Sequence, residues 1–360
     1  MMFSKRVLTP PASILPDAAT TKPEQVPNLA PVFSQIIPSE LVSVTSAPQT
    51  ITYNLNVVCL SDLTKLTRLE KIVTAITGRQ CTLTTPGNGS HYSISVPRIN
   101  RELVTLKQCL LTRTFDDMRT GLPFIAGKDQ NNRTKVFDLA RMPHCLIAGT
   151  TGSGKSVTLH TLICSLLYKH TPETLSFLMV DCKRVELSQY ATLPHLYQPI
   201  VTDPQKAVET LRNLCQMMDQ RYRKPRKDAP SIVIIIDELA DLMLTSKKAV
   251  EPYLVRLAQL GRAAQIHMVL CTQKPSAAVV TGLISANIPM KICLKCAKVT
   301  DSVLILGHKG GESLTGAGDA IVKTPDTVTE TRLQCPYTDP DTVQRVVEYW
   351  RKPDRAKRVS

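Results

Sequence analysis

The chain has 360 residues, of which 43% are hydrophobic: enough to bury a core without disulfides or a structural metal, and too many for wholesale disorder. Lys and Arg number 44 against 30 Asp and Glu, and the formal charge of +14 favours a polyanionic partner, nucleic acid before membrane. The longest apolar run, Ile232–Ile236, is of strand length and far short of the ~20 residues of a spanning helix. No apolar stretch follows Lys5 and Arg6 as a secretory signal requires, so integral membrane and secreted proteins are excluded. The 11 cysteines, many inside apolar runs (Cys145, Cys164, Cys271), read as reduced, buried thiols of a cytosolic protein. Cys293 and Cys296 form the sole C-x-x-C, and without a second pair they are not expected to close a zinc site.

Residues 1–47, rich in Pro, Ser, Thr and Ala, read as a flexible leader. Residues 50–58 alternate like a strand, and Leu63–Ile76 has helical spacing. Gln80–Thr85 and Tyr92–Val96 read as strands around a Pro-Gly-Asn-Gly turn, while Asn100–Leu110 is compatible with helix or strand. Together 48–138 make a small α/β domain. From 139 to 335 the texture changes. Apolar strands at Cys145–Ala148, Phe177–Asp181, Ile232–Asp237, His267–Thr272, Lys291–Leu294 and Ala320–Val322 alternate with helices at Lys155–Lys169, Pro204–Tyr222 and Lys248–Ala264. Such alternation predicts a mostly parallel sheet covered on both faces. Residues 336–360 read as a C-terminal helix and a basic tail.

Gly149–Ser156, GTTGSGKS, fits G-x-x-x-x-G-K-[ST] and lies between a strand and a helix, the context that gives the pattern meaning. Glycines let the backbone turn so that successive N–H groups of Gly149, Thr150, Thr151, Gly152, Ser153, Gly154, Lys155, Ser156 and Val157 can face phosphate oxygens at a helix N-terminus. Lys155 is placed to reach the β- and γ-phosphates, and Ser156 to offer a hydroxyl to Mg²⁺. The strand SIVIII ends in Asp237–Glu238: one carboxylate for the Mg²⁺ shell, the next to take a proton from attacking water, which points to hydrolysis of ATP. Gln273, at the end of HMVLCTQ, is either a surface amide or a group that senses the γ-phosphate. Arg262 ends a helix and is open to reading as a surface charge, a dipole partner or an arginine finger. Basic residues cluster at Arg221, Arg223, Lys224, Arg226 and Lys227 and again at Lys291, Lys295 and Lys298. With aromatics at 4%, contact with a phosphate backbone is the better reading than base stacking.

MPHCLIAGTTGSGKSV (142–157), IVIIIDELADLM (232–243), RLAQLGRAAQIHMVLCTQKPS (256–276) and GLISANIPMKI (282–292) resemble the motor of the FtsK/SpoIIIE family of double-stranded DNA translocases. So do DCKRVELSQY (181–190) and GESLTGAGDAI (311–321), and IAGKDQNNRTKVFDLARMPH (125–144) looks like the stretch leading into that motor. The resemblance runs in order from about Tyr53 to Gln334. It implies a RecA-like P-loop NTPase preceded by a smaller α/β domain, using ATP and Mg²⁺. It further implies assembly into a homo-oligomeric, hexameric ring around duplex DNA in the cytoplasm. By the same resemblance Arg262 falls on the arginine-finger position and Gln273 on the sensor position. Lys274 and the stretch after Lys291, with Lys295 and Lys298, correspond to channel loops that touch DNA.

Three departures follow. The chain shows no membrane-spanning region and ends soon after the motor, before any winged-helix module. The region after Tyr222 is much shorter than in the family's large members, and Val299 and Val303 stand where basic residues are expected. Movement of chromosome, plasmid or phage DNA is therefore the leading expectation. Delivery of DNA to a conjugation channel or capsid, with a relaxase, recombinase or portal partner, is the second. An ATP-switched DNA-binding assembly factor is the third.

Overall fold

The structure, a computed structural model, describes residues 9–17, 27–57, 63–84, 91–100, 102–224, 229–326 and 330–352. The Pro-Gly-Asn-Gly turn, Arg226, Lys227, the basic tail from 353 and the leader stretches 1–8 and 18–26 lie outside the described residues. The chain forms two compact units, one of residues 18–104 with 128–134, the other of residues 1–17, 105–127 and 135–360. The division thus differs from the boundary read at 138/139.

The small unit contains α1 (Ala30–Ile36), β1 (Ser39–Ser46), β2 (Thr50–Val57), α2 (Leu63–Thr77), β3 (Thr82–Thr84) and β4 (His91–Pro97). Its sheet is antiparallel in the order β1-β2-β4-β3. Alternation puts Ile51, Tyr53 and Leu55 of β2 and Ile94 and Val96 of β4 into one core with Phe33, Leu69 and Val73. Residues 30–46, read from composition as leader, are ordered because Phe33 enters that core, edge-on to Tyr53 at 5.4 Å between ring centroids.

Apart from residues 128–134, the large unit begins with α3 (Leu106–Leu110) and α4 (Arg113–Asp116), then β5 (Pro123–Asp129), β6 (Thr134–Asp138), β7 (His144–Ala148), α5 (Lys155–Leu167) and β8 (Leu175–Val180). It continues with α6 (Pro204–Arg223), β9 (Ser231–Ile236), α7 (Leu239–Leu260), β10 (Ile266–Thr272), α8 (Gly282–Asn287), β11 (Met290–Leu294) and α9 (Val299–Leu306). It ends with β12 (Asp319–Lys323), β13 (Thr331–Gln334) and α10 (Pro340–Arg351). Thr105 and Gln108 form a capping box, which settles 106–110 as helix.

The sheet order is β6-β5-β13-β12-β11-β7-β10-β9-β8. From β11 to β8 all pairings are parallel, whereas β12 runs antiparallel to both β11 and β13. The strand at Ala320–Val322, expected within the parallel run, therefore points the other way; an apolar strand does not carry its direction in its composition. Every residue of β7 and β10 is buried, as a sheet covered on both faces requires. The apolar face of α6 (Ala207, Leu211, Leu214, Met218) packs into that core with Leu242, Leu254 and Leu257 of α7. α7 starts nine residues before the expected Lys248, because Glu238 caps it; non-helical Ser246, at φ −140°, breaks it into two segments.

Candidate functional site

The parallel strands β7, β9 and β10 end side by side, and their carboxyl ends carry the candidate residues. The loop Gly149–Ser156 links β7 to α5. It is fixed through its backbone as well as its side chains. Gly149 N donates to Thr272 O at 3.2 Å, Thr150 N to Lys295 O at 2.9 Å, and Gly318 N to Ser153 O at 2.8 Å. Gly152 and Gly154 have φ of +77° and +100°, a region that side chains rarely adopt.

Lys155 Nζ donates to the backbone oxygen and to Oδ1 of Asp237, each at 2.7 Å. Burial works against the Lys155 ammonium, but the Cys271 sulfur and the carboxylates of Asp237 and Glu238 outweigh it, so its pKa stands above the ordinary value. Burial likewise pushes the Asp237 carboxyl up, with Lys155 pulling the other way. Glu238 is latched: Oε1 accepts from Thr272 Oγ1 at 2.7 Å and Ala240 N at 3.2 Å, and Oε2 from Gln273 N at 3.0 Å. Lys183 lies 4.0 Å from it and 3.6 Å from Asp241. Gln273 joins the loop directly, since its Oε1 accepts from Thr151 Oγ1 at 2.9 Å.

One residue at the site was not picked out by the sequence. Glu186, on the loop after β8, accepts the Ser156 hydroxyl at 2.6 Å. Its carboxyl is held down to about 2, first by His160, whose Nε2 lies 3.6 Å from Oε2, with Ser156 and Lys155 adding to the effect against partial burial. The available signal was an acid in the segment that follows the carboxyl end of a parallel strand, with Asp181 in the same segment.

The other candidates are dispersed. Arg262 lies in the turn before β10, at the amino end of a strand of seven residues. At about 3.3 Å per residue it sits roughly 20 Å from the phosphate loop of its own chain. There it is exposed and lines an open cavity of about 610 Å³ with Arg141, Asn287 and Asp326. Lys274, Lys295 and Lys298 are exposed just after the carboxyl ends of β10 and β11. Lys291 does not join them: it is half-buried near the start of β11, donates to Ser285 Oγ at 2.8 Å, and burial together with Lys323 lowers its pKa. Val299 and Val303 are exposed on α9, at 49% and 46%. The Cys293 and Cys296 sulfurs are buried 3.6 Å apart, and no group of three metal-binding side chains occurs among the described residues.

Residues 105–229 and 223–277 match the model of the FtsK/SpoIIIE family. The chain is 42% identical over 275 residues to the DNA translocase FtsK of Campylobacter jejuni strain 81-176, covering 71% of this chain and 29% of the relative. It is 37% identical over 340 residues to the DNA translocase FtsK of Leptospira interrogans, covering 87% and 36%. The chain thus spans roughly a third of the length of these relatives. Among solved structures, the pCW3 conjugation coupling protein TcpA with ATPγS superposes at TM-score 0.60 and 19% identity, covering 86% of this chain and 93% of that one. The cytoplasmic domain of the type VII secretion ATPase EccC of Thermomonospora curvata gives 0.57 at 23% identity, covering 64% and 31%. These two likenesses place the large unit in the fold of P-loop ATPases.

Proposed function

This chain is a member of the FtsK/SpoIIIE family, and on that premise we propose that it hydrolyses ATP to move along double-stranded DNA as a homo-oligomeric, hexameric ring. The observation that carries the reading is the convergence of Lys155, Ser156, Asp237, Glu238 and Gln273 at adjoining strand and loop ends.

In this reading the amides of residues 149–157 and the start of α5 hold the phosphates, and Lys155 balances their charge. Gln273 is held by Thr151 at the edge of the loop, within reach of a γ-phosphate. Glu238 accepts a proton from the attacking water, and its three hydrogen bonds fix where it points. The donors at the site, the Ser156 hydroxyl and the Asp237 carboxylate, are hard oxygens that suit Mg²⁺. Ser156 and Asp237 would hold it, and a cation held there would supply neutralisation of charge on the phosphate oxygens.

Arg262 cannot serve its own loop from the opposite end of β10, so its action on phosphates requires a neighbouring copy. The ring supplies that neighbour. Lys274, Lys295 and Lys298 are the exposed cations that would face the phosphates of the duplex. No helix among the described residues is long and apolar enough to cross a membrane. We place the motor in the cytoplasm, where its thiols stay reduced.

The test is the ATPase rate with and without linear duplex DNA at low salt. Stimulation by DNA is expected; an unchanged rate removes the main support for a DNA motor.

A further inference from the structure

Glu186 is 30 positions from Ser156 in sequence, yet its Oε1 takes the hydroxyl proton of Ser156 in a 2.6 Å hydrogen bond. Its other oxygen lies 3.6 Å from His160 Nε2. His160 follows Ser156 by four positions on α5 and therefore shares its face of the helix. The ring is held from behind: Nδ1 is 3.0 Å from the Tyr190 hydroxyl, and Nε2 is 3.1 Å from the amide of Gln189. That same amide donates to the backbone oxygen of Glu186 at 3.0 Å. His160 and Tyr190 are buried, while the Glu186 side chain is 26% exposed. A solvated surface acid needs no such backing. Glu238 directs its hydrogen bonds elsewhere, to Thr272 and Gln273 at the end of β10 and to Ala240 N at the start of α7.

We propose that Glu186 is a positioning residue of the cation site: it engages the Ser156 proton so that only oxygen lone pairs remain for a divalent cation. A hydroxyl has one proton and two lone pairs, so committing the proton decides what the oxygen offers. The added negative charge beside Asp237 favours a cation in the same place. The inference rests on the reading that Ser156 and Asp237 hold Mg²⁺.

The experiment is equilibrium binding of a fluorescent ADP analogue to the full chain, titrated with Mg²⁺ from an EDTA baseline, for wild type, Glu186→Ala and Glu186→Gln. Losing an outer partner of a metal ligand typically costs ~10–100-fold in metal affinity. Glu186→Ala is expected to raise the half-saturating Mg²⁺ by that factor. Glu186→Gln keeps an acceptor oxygen of the same reach and raises it less. Binding in EDTA, which depends on the loop and Lys155, stays at the wild-type level in both. Wild-type Mg²⁺ midpoints in both variants overturn the role of Glu186 alone. A wild-type protein that binds the analogue without any response to Mg²⁺ overturns the cation site itself, and the inference with it. If Glu186→Ala does not fold, Glu186→Gln decides by the presence or absence of a shift.

Discussion

Lys155 and Asp237 are joined twice, through the carboxylate and through the backbone oxygen, each at 2.7 Å, which ties the phosphate loop to the end of β9. Their side chains are 3% and 5% exposed. Removing one partner of a buried pair leaves an uncompensated charge at a cost of about 3–5 kcal/mol. Lys155→Ala is therefore expected to lose ATP turnover and to unfold at lower urea than wild type. Duplex DNA binding, which does not use this lysine, is largely retained. Unchanged turnover rejects the site assignment, and an unchanged urea midpoint rejects the pair as a stabilising contact.

Two glycines of the loop separate conformation from space. A Cβ on Gly152, at φ +77°, meets nothing within 4 Å, whereas one on Gly154 comes to 2.6 Å from the Gly318 nitrogen. Gly152→Ala carries only the left-handed backbone penalty of about 1–2 kcal/mol. Gly154→Ala adds a clash with backbone and must displace either the loop or residues 316–318. Thermal melting should show Gly154→Ala as clearly the less stable of the two. Equal melting temperatures would mean that the contact with Gly318 is not maintained.

The far placement of Arg262 predicts complementation between inactive variants. Arg262→Ala and Lys155→Ala are each expected to be without DNA-stimulated ATPase. Mixed in equal amounts and allowed to exchange subunits, about a quarter of the boundaries would pair an intact Lys155 with an intact Arg262. Partial recovery of ATPase is the expected result. A mixture as inactive as its components contradicts an arginine supplied across the boundary.

Buried histidines make stability depend on pH. Burial lowers His144 from 6.5 to about 3, with neighbouring His267 adding to the effect, and lowers His195 and His267 to about 4. His144 Nδ1 accepts from Met268 N at 3.1 Å, and His195 packs edge-on against Trp350, so both rings are held neutral in the fold. The unfolded chain takes up these protons near pH 6.5 and the folded chain does not. Their contribution is therefore complete above 6.5 and falls as the pH drops toward 4. At pH 5.5 each costs on the order of 1 kcal/mol. The urea midpoint at pH 5.5 should lie well below that at pH 7.5, and equal midpoints would show that these rings ionise within the fold.

The central strands were legible because strands buried on both faces are written as continuous apolar runs. Ile232–Ile236 and His267–Thr272 could hardly be anything else. Strand direction was not legible, and β12 shows why: its pattern is the same in either orientation. β5 is not among the strands expected from the sequence, and Pro123 and Gly127 interrupt its apolar pattern. In the structure Gly127 is where the strand passes close to Gln334 of β13, and a Cβ there would collide with the Gln334 backbone oxygen. At the site, the loop and Asp237–Glu238 were readable from local spacing. Glu186 was not, because its partner lies on the other side of a helix and a strand. Lys291 stands apart from Lys295 and Lys298 for a related reason: residues close in sequence along a strand lie toward its two ends in space.

Displacement of a third strand from a distant site on linear duplex DNA tests the central claim most directly, because only a molecule that travels can reach it. The account predicts displacement that requires ATP and disappears in Lys155→Ala. DNA-stimulated ATP hydrolysis without any displacement would contradict it.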